Sequence, residues 1–217
     1  FYGEAEPTFE ALQRMAGRLL DYTDPRAFDA VLEKANIAVR LLDVWPDVKK
    51  VVDGTLPLTP RGRLCISLPT YHSIQDYASV QANAAPLGRL VTSLDEYLQA
   101  CWDLFVAHKE YGAVAFKDQS AYSRPLDYGN PTRAEAEAVF NHFMEDPRRS
   151  AAYPEETRPL DDYLFHSFLR MARDLSLPVQ IHTGHMAGIR NDIAKTNAVG
   201  LTRVIELHRE VRFDLFH

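Results

Sequence analysis

Residues 177–182 read Leu-Pro-Val-Gln-Ile-His, and this stretch decides the fold class. It is a short apolar run that ends in a histidine and follows a longer stretch of helical periodicity at residues 160–175. A continuous apolar run of strand length, with its proline near the start where a missing N–H is tolerated, is typical of a buried strand in a parallel sheet. The sequence therefore predicts a helix followed by a buried strand at this point.

Four further apolar runs of strand length lie along the chain, and helical patterns separate them. The strand candidates span residues 37–42, 63–68, 113–117 and 211–217. The helical candidates span residues 8–20, 25–34, 93–109, 132–144, 160–175 and 201–210. Strands that alternate with helices indicate an α/β fold with a parallel sheet. Both a doubly wound sheet and a (β/α)8 barrel fit this pattern.

The composition excludes several classes of protein. A chain of 217 residues with 46% hydrophobic and 25% charged residues has the composition of a folded globular protein, not of a disordered one. Its net charge of -6, without a Lys/Arg block, argues against a nucleic-acid partner. No apolar run approaches the roughly 18 to 20 residues that a membrane helix needs.

The cellular setting follows from the cysteines and the N-terminal residues. Cys65 and Cys101 lie far apart without metal-site spacing, which fits a reducing compartment. The N-terminal residues carry acids where a signal peptide has a basic region and an apolar block. We expect a cytoplasmic protein that binds a small molecule, without a membrane partner; the sequence leaves a homo-oligomer open.

The chain reads as one α/β barrel domain over residues 1–217, with an excursion at about residues 118–158. That passage is polar and rich in Tyr, Pro and Arg, and it separates one strand from the helix that leads to the next. Residues 211–217 form a strand with no helix after them, although a parallel strand needs both faces buried. We therefore expect the chain to be a segment of a longer protein.

Three strand candidates end in a side chain that is able to bind a metal: Lys117, His182 and His217. The intervals between them are long enough to hold helical crossovers of about 30 residues or more. Ligands bind at the C-terminal ends of parallel strands, where the βα loops begin. The three side chains are therefore expected to converge on one site.

Lys117 has the most informative setting of the three residues, since its strand is otherwise Ala, Val and Phe. A lysine is rarely buried unless it is paired, and burial favours the neutral amine. A neutral amine reacts with CO2 to give a carbamate that bridges cations, or attacks a carbonyl to give a Schiff base. The third reading is a lysine that extends to solvent at the strand end and pairs with an acid.

The histidines fall into two groups. His182 shares a strand face with Gln180. A single histidine at a strand end is more often structural than a metal ligand. The prediction of a metal site therefore rests on the occurrence of Lys117, His182 and His217 together at three strand ends. His72 also follows a strand and faces the same edge in one reading. Three further histidines lie in helical stretches and are expected at the surface or in packing: His142, His166 and His208. Asp161 and Asp162 are read as the acidic start of a helix, not as metal ligands.

These segments resemble a known family. Three segments carry the resemblance: Val114-Ala115-Phe116-Lys117 with Ala121-Tyr122, residues 178–184, and Phe213-Asp214-Leu215-Phe216-His217. They are similar to the amidohydrolase superfamily of metal-dependent (β/α)8 barrels, in the branch called amidohydrolase 2. The resemblance covers residues 30–217. It implies a carboxylated lysine on strand 4 and histidines on strands 5 and 6. By that mapping Lys117 is a bridging carbamate, and His182 and His217 are metal ligands.

The chain also departs from the family pattern. It contains no His-x-His pair, which the family carries on strand 1, and it stops before a strand 8 that would supply an aspartate. The resemblance therefore implies an incomplete TIM-like barrel of about strands 2 to 6. A complete binuclear site does not form from these residues alone.

The implied function is a metal-dependent hydrolase that cleaves an amide, ester or lactone bond of a small, carboxylate-bearing substrate. One or two divalent ions would activate water, and zinc suits the histidine and carbamate ligands best. Lys117 and His182 are the expected catalytic residues. The expected substrate-binding residues are Tyr122, Arg124, His185 and Arg190. The alternatives are a metal-dependent decarboxylase on the same barrel, a Schiff-base lyase that uses Lys117, and a non-catalytic binding protein.

Overall fold

The computed structural model describes residues 2–21, 24–43, 46–188 and 191–217. The chain divides into two compact units, one of residues 1–42 with 57–63 and the other of residues 43–56 with 64–217. The prediction that they form a single domain stays a prediction.

The first unit contains two helices and a short strand: α1 (Phe9–Ala16), α2 (Pro25–Lys34) and β1 (Arg40–Leu42). Each helix begins at a residue whose side chain accepts a hydrogen bond from the first turn. The Thr8 hydroxyl accepts from the backbone N–H of Ala11 at 3.1 Å, and the Asp24 carboxylate accepts from that of Arg26 at 2.9 Å. Such caps satisfy N–H groups that the helix itself leaves free.

The second unit contains the rest of the regular structure, with strand β2 beginning in the first unit. Its helices are α3 (Val48–Val52), α4 (Pro69–His72), α5 (Tyr77–Ala84), α6 (Leu94–Glu110), α7 (Arg133–Glu145), α8 (Arg158–Asp174) and α9 (Thr202–Leu207). Its strands are β2 (Gly62–Ser67), β3 (Ala115–Asp118), β4 (Val179–His182) and β5 (Phe213–Phe216).

The order of the strands decides between the two α/β architectures. The sheet runs β1-β2-β3-β4-β5, so each strand lies beside its neighbour in sequence. The pairs β2–β3, β3–β4 and β4–β5 are parallel. A doubly wound sheet reverses its strand order at a switch point, and this sheet does not. The fold is therefore α/β with the strand order of part of a TIM-like barrel.

One face of the sheet packs against helices. Phe116 of β3 lies in register with Val179 of β4, and both are fully buried. The Phe116 ring contacts Phe105 of α6 edge-to-face, with ring centroids 5.0 Å apart. Phe105 in turn contacts Phe168 of α8 at 5.2 Å. This aromatic contact joins two helices to the sheet and fixes which strand residues face them.

The other face of the sheet carries the polar strand residues. Ser67, Lys117 and Gln180 lie side by side in the parallel register, and Asp214 of β5 follows beside Gln180. Residues in register point to the same face. The face that does not pack against helices therefore carries Lys117 at the C-terminal edge of β3.

All of the predicted strands exist, with limits that differ from the predicted ones by up to three residues. The largest difference is at β1, where only Arg40–Leu42 of residues 37–42 are a strand. The short helices α3, α4 and α5 were not predicted, because helices of four to eight residues show too few turns for periodicity. The excursion at residues 118–158 contains α7, which begins at a capping box of Thr132 and Glu135.

Two observations bear on the expected setting. Cys65 and Cys101 are buried free thiols. Within the part of the chain that the structure describes, every helix is too short or too polar to cross a membrane.

Candidate functional site

Lys117 is buried at the C-terminal edge of β3, with 2% of its surface exposed. Its Nζ lies 4.1 Å from the centroid of the Phe216 ring, a cation–π arrangement. Burial lowers the pKa of this amine, and the nearby carboxylates of Asp43 and Asp214 oppose the shift. Lys117 therefore does not extend into solvent, and its neutral form is more accessible than that of an ordinary lysine.

His182 is the last residue of β4 and is 6% exposed. Its Nε2–H donates to the backbone carbonyl of His185 at 2.6 Å, which leaves Nδ1 with its lone pair in the neutral ring. Burial lowers the pKa of His182, and the positive charges of Lys117 and His217 act in the same direction. The ring is thus held in the neutral form that binds metals.

His217 follows β5 and lies close to both of the other imidazoles at this edge. Its ring centroid is 5.0 Å from that of His182 and 6.0 Å from that of His185. Two imidazoles on one tetrahedral ion have ring centroids about 5 Å apart. The spacing of His182 and His217 therefore suits a shared metal ion.

Asp43 is a charged residue at the same edge that the sequence reading missed. It follows β1, and its Oδ1 accepts a hydrogen bond from Gln119 Nε2 at 3.0 Å. Desolvation raises the pKa of Asp43, against the opposing charges of Lys117 and His182. The signal was present in the sequence, because Asp43 directly follows the strand candidate at residues 37–42.

The donors at this edge fit a divalent ion in part. Among the described residues, no group of three His, Cys, Asp or Glu side chains could hold a metal ion. His182 and His217 supply two imidazoles, and Lys117 supplies oxygen ligands only after it reacts with CO2. The described residues therefore contribute part of a ligand set.

Arg124 does not line the edge where a substrate was expected to bind. It is 1% exposed, and its Nη1 lies 2.6 Å from both Asp161 Oδ2 and Asp162 Oδ1. Burial opposes its charge, but Tyr128, Asp161 and Asp162 raise the pKa of the guanidinium. The two carboxylates hold Arg124 inside the protein, and its predicted role in substrate binding stays a prediction.

His72 belongs to the same buried network. It is fully buried, and its Nδ1–H donates to Asp161 Oδ1. Burial favours the neutral ring, but the charge of Asp161, its hydrogen bond and the charge of Asp118 together raise the pKa of His72. Asp161 lies in the first turn of α8, as predicted, yet both it and Asp162 are buried and paired.

Two of the predicted substrate-binding residues do lie at the edge. The Tyr122 ring centroid is 4.9 Å from that of His182, and its hydroxyl accepts from the backbone N–H of Ala187 at 3.1 Å. This bond joins the loops that follow β3 and β4. His185 is exposed beside His217. Arg190 lies outside the described residues.

Comparisons with known proteins show the fold. No family model and no curated protein matches the sequence. A candidate metal-dependent hydrolase from Lactobacillus casei superposes with a TM-score of 0.64 at 16% identity, over 92% of this chain and 50% of that one. Uronate isomerase from Thermotoga maritima superposes with a TM-score of 0.62 at 14% identity, over 94% of this chain and 50% of that one. Glucuronate isomerase from Caulobacter crescentus superposes with a TM-score of 0.63 at 17% identity, over 94% of this chain and 46% of that one.

The chain spans about half the length of these structures. At these identities the similarity shows the fold alone, and it agrees with the TIM-like strand order of the sheet. The resemblance to the amidohydrolase superfamily, and within it to the amidohydrolase 2 branch, stays a prediction.

Proposed function

We propose that this chain carries part of the active site of a metal-dependent hydrolase of the amidohydrolase type. The substrate would be a small, carboxylate-bearing amide, ester or lactone. The observation that supports this proposal is the grouping of His182 and His217, with rings 5.0 Å apart, beside the buried Lys117 at successive strand ends. The similar structure that is named as a metal-dependent hydrolase adds support.

His182 and His217 would hold the metal, most suitably zinc, with Lys117 as a carbamate. A bound divalent ion lowers the pKa of a bound water and polarises a carbonyl. The His185 carbonyl accepts a hydrogen bond from His182 Nε2–H and so fixes the orientation of the ring. The lone pair of Nδ1 is then free to bind the metal. The Tyr122 ring packs against the His182 ring, with centroids 4.9 Å apart.

The proposed set of ligands needs members beyond these residues. The carbamate and two imidazoles would supply part of the coordination of a divalent ion, and a bound substrate or water would take one further ligand position. We infer that additional ligands come from outside the described residues.

An isomerase on the same barrel is the second candidate. Three of the similar structures are named as uronate or glucuronate isomerases, with TM-scores of 0.57 to 0.63 against 0.64 for the hydrolase. Product analysis by NMR distinguishes the two functions, since hydrolysis adds water and isomerisation does not.

The test is zinc content after dialysis, measured by plasma mass spectrometry on the natural protein and its variants. Lys117→Ala and His217→Asn are expected to lower the zinc content. His142→Asn, which changes an exposed histidine on α7, serves as the matched control and retains the wild-type content. Wild-type protein without metal, or equal content in all variants, contradicts the proposal. Borohydride trapping at Lys117 with a keto substrate would then support the Schiff-base lyase instead.

A further inference from the structure

A cavity of about 340 Å³ opens beside the candidate metal residues, at the C-terminal ends of β2 and β3. The residues that line it are Ser67, Pro69, Gln119, Ser120, Tyr122 and Ser123. Pockets for small ligands begin at about 300 Å³, so this cavity has room for one small group.

Among the described residues, the lining of this cavity carries no charged side chain. Most of the exposed lining is apolar, with the Pro69 ring and the Tyr122 ring among its members. A charged ligand group would lose its hydration here without gaining a counter-ion from these lining residues, which is costly. The cavity therefore favours an uncharged group over an anion.

Two hydroxyl groups of the lining have no hydrogen-bond partner within the part of the chain that the structure describes. Ser67 is 8% exposed and Ser120 is 2% exposed, and the Oγ of each is buried and unpartnered. The other polar side chains are engaged: Ser123 Oγ donates to the Ser120 carbonyl, and Gln119 donates to Asp43. A buried hydroxyl without a partner is destabilising, and a χ1 rotation is enough to turn a serine hydroxyl toward a ligand.

The cavity adjoins the residues proposed to bind the metal. Ser67 lies in register with Lys117, so the two side chains share one face of the sheet. Tyr122 lines the cavity and also contacts His182, with ring centroids 4.9 Å apart. A group held in the cavity is therefore next to the reacting centre without touching it.

We propose that Ser67 and Ser120 form a binding subsite for an uncharged, mainly apolar group that bears a hydroxyl or carbonyl. The hydroxyls bind the polar atom of this group, and the Tyr122 and Pro69 rings contact its apolar part. Its assignment as a substrate subsite rests on the proposed function, whereas the binding itself does not.

The test is ligand-observed NMR titration of metal-free protein with benzyl alcohol, benzoate and toluene as probes. Benzyl alcohol is expected to bind with a dissociation constant at least threefold lower than that of toluene or benzoate. Ser67→Ala and Ser120→Ala are each expected to weaken benzyl alcohol about threefold to tenfold and leave toluene unchanged. Ser150→Ala changes an exposed serine and is the matched control. Ser67→Leu fills the cavity and is expected to abolish binding of every probe.

Three results would overturn the subsite. They are benzoate binding as tightly as benzyl alcohol, alanine variants with unchanged affinity for benzyl alcohol, and saturation by no probe. Because the titration uses metal-free protein, its outcome is independent of the zinc measurement. Loss of zinc binding with intact probe binding counts against the metal site alone, and the reverse counts against the subsite alone.

Discussion

A pair of buried histidines makes the stability of this protein depend on pH. His166 Nε2–H donates to the Gly129 carbonyl at 2.6 Å, so in the neutral ring its Nδ1 accepts from His208 Nε2–H at 2.7 Å. His208 Nδ1 is left buried without a partner. Burial, followed by the charges of His166 and Arg170, lowers the pKa of His208 to about 4.

The sign of the effect follows from proton linkage. The unfolded chain has a histidine pKa of about 6.5, so between that value and the folded pKa the unfolded state binds more protons. Acid therefore destabilises the folded state across this window, and above it the effect of His208 is constant. With a folded pKa of about 4, lowering the pH from about 7.5 to about 5 removes about 2 kcal/mol of unfolding free energy through His208.

Urea unfolding at a series of pH values measures this effect. His208→Gln keeps an N–H donor for His166 but does not titrate, so its unfolding free energy is expected to fall by about 2 kcal/mol less than that of the wild type. His142→Gln is the control, because His142 is exposed on α7. Buried histidines that do not contact His208, such as His72 and His108, titrate equally in both proteins and cancel in the difference. The difference therefore reports the His166–His208 pair. Equal pH dependence in wild type and His208→Gln would refute the reasoning.

Three further outcomes are expected. Arg124→Met leaves two buried carboxylates without their cation and is expected to cost about 3 to 5 kcal/mol of unfolding free energy in urea melts. Arg148→Met, at an exposed ion pair, should cost less than about 1 kcal/mol, and equal costs would contradict the burial argument. In ¹³C-bicarbonate, the wild type is expected to show a carbamate NMR signal that Lys117→Ala lacks; a retained signal would exclude Lys117 as its source. Phe105→Ala removes the ring between helix and sheet and is expected to cost about 3 to 5 kcal/mol, whereas a loss under about 1 kcal/mol would show that the contact is unimportant.

The sheet was predictable because its strands are continuous apolar runs. A buried parallel strand such as β4 has few ways to vary its sequence, and the proline before it and the histidine at its end mark its limits. The choice between barrel and doubly wound order was not predictable, since strand order depends on which neighbours pair. In the sequence itself, only the resemblance to a known family favoured the barrel.

The side chains of the site were predictable where their position in a strand determines the direction in which they point, and they were not predictable elsewhere. Lys117 and His182 are placed by strand ends, and the structure brings them to one edge together with His217. Arg124 lies in a loop, where the position of a residue in the chain does not determine where its side chain points. Its partner Asp161 lies on a later helix. No local pattern joins these two residues, so the buried ion pair could be found only from the fold.

The register of β3 connects this buried network to the candidate site. Asp118 is fully buried on the helix-facing side, where its Oδ2 accepts from the Tyr128 hydroxyl at 2.6 Å and its Oδ1 from the Ser120 N–H at 2.7 Å. Tyr128 lies 4.3 Å from the guanidinium carbon of Arg124. A slip of one residue in β3 would exchange the faces of Asp118 and Lys117.

Asp118 therefore fixes the face that Lys117 occupies, while Arg124 holds the loop that carries Ser120 and Tyr122. We expect Arg124→Met to weaken benzyl alcohol binding through the loop although Arg124 does not line the cavity. Unchanged probe affinity in a folded Arg124→Met variant would show that the loop keeps its position without the ion pair. The control is Arg148→Met, which leaves both the loop and the buried network intact.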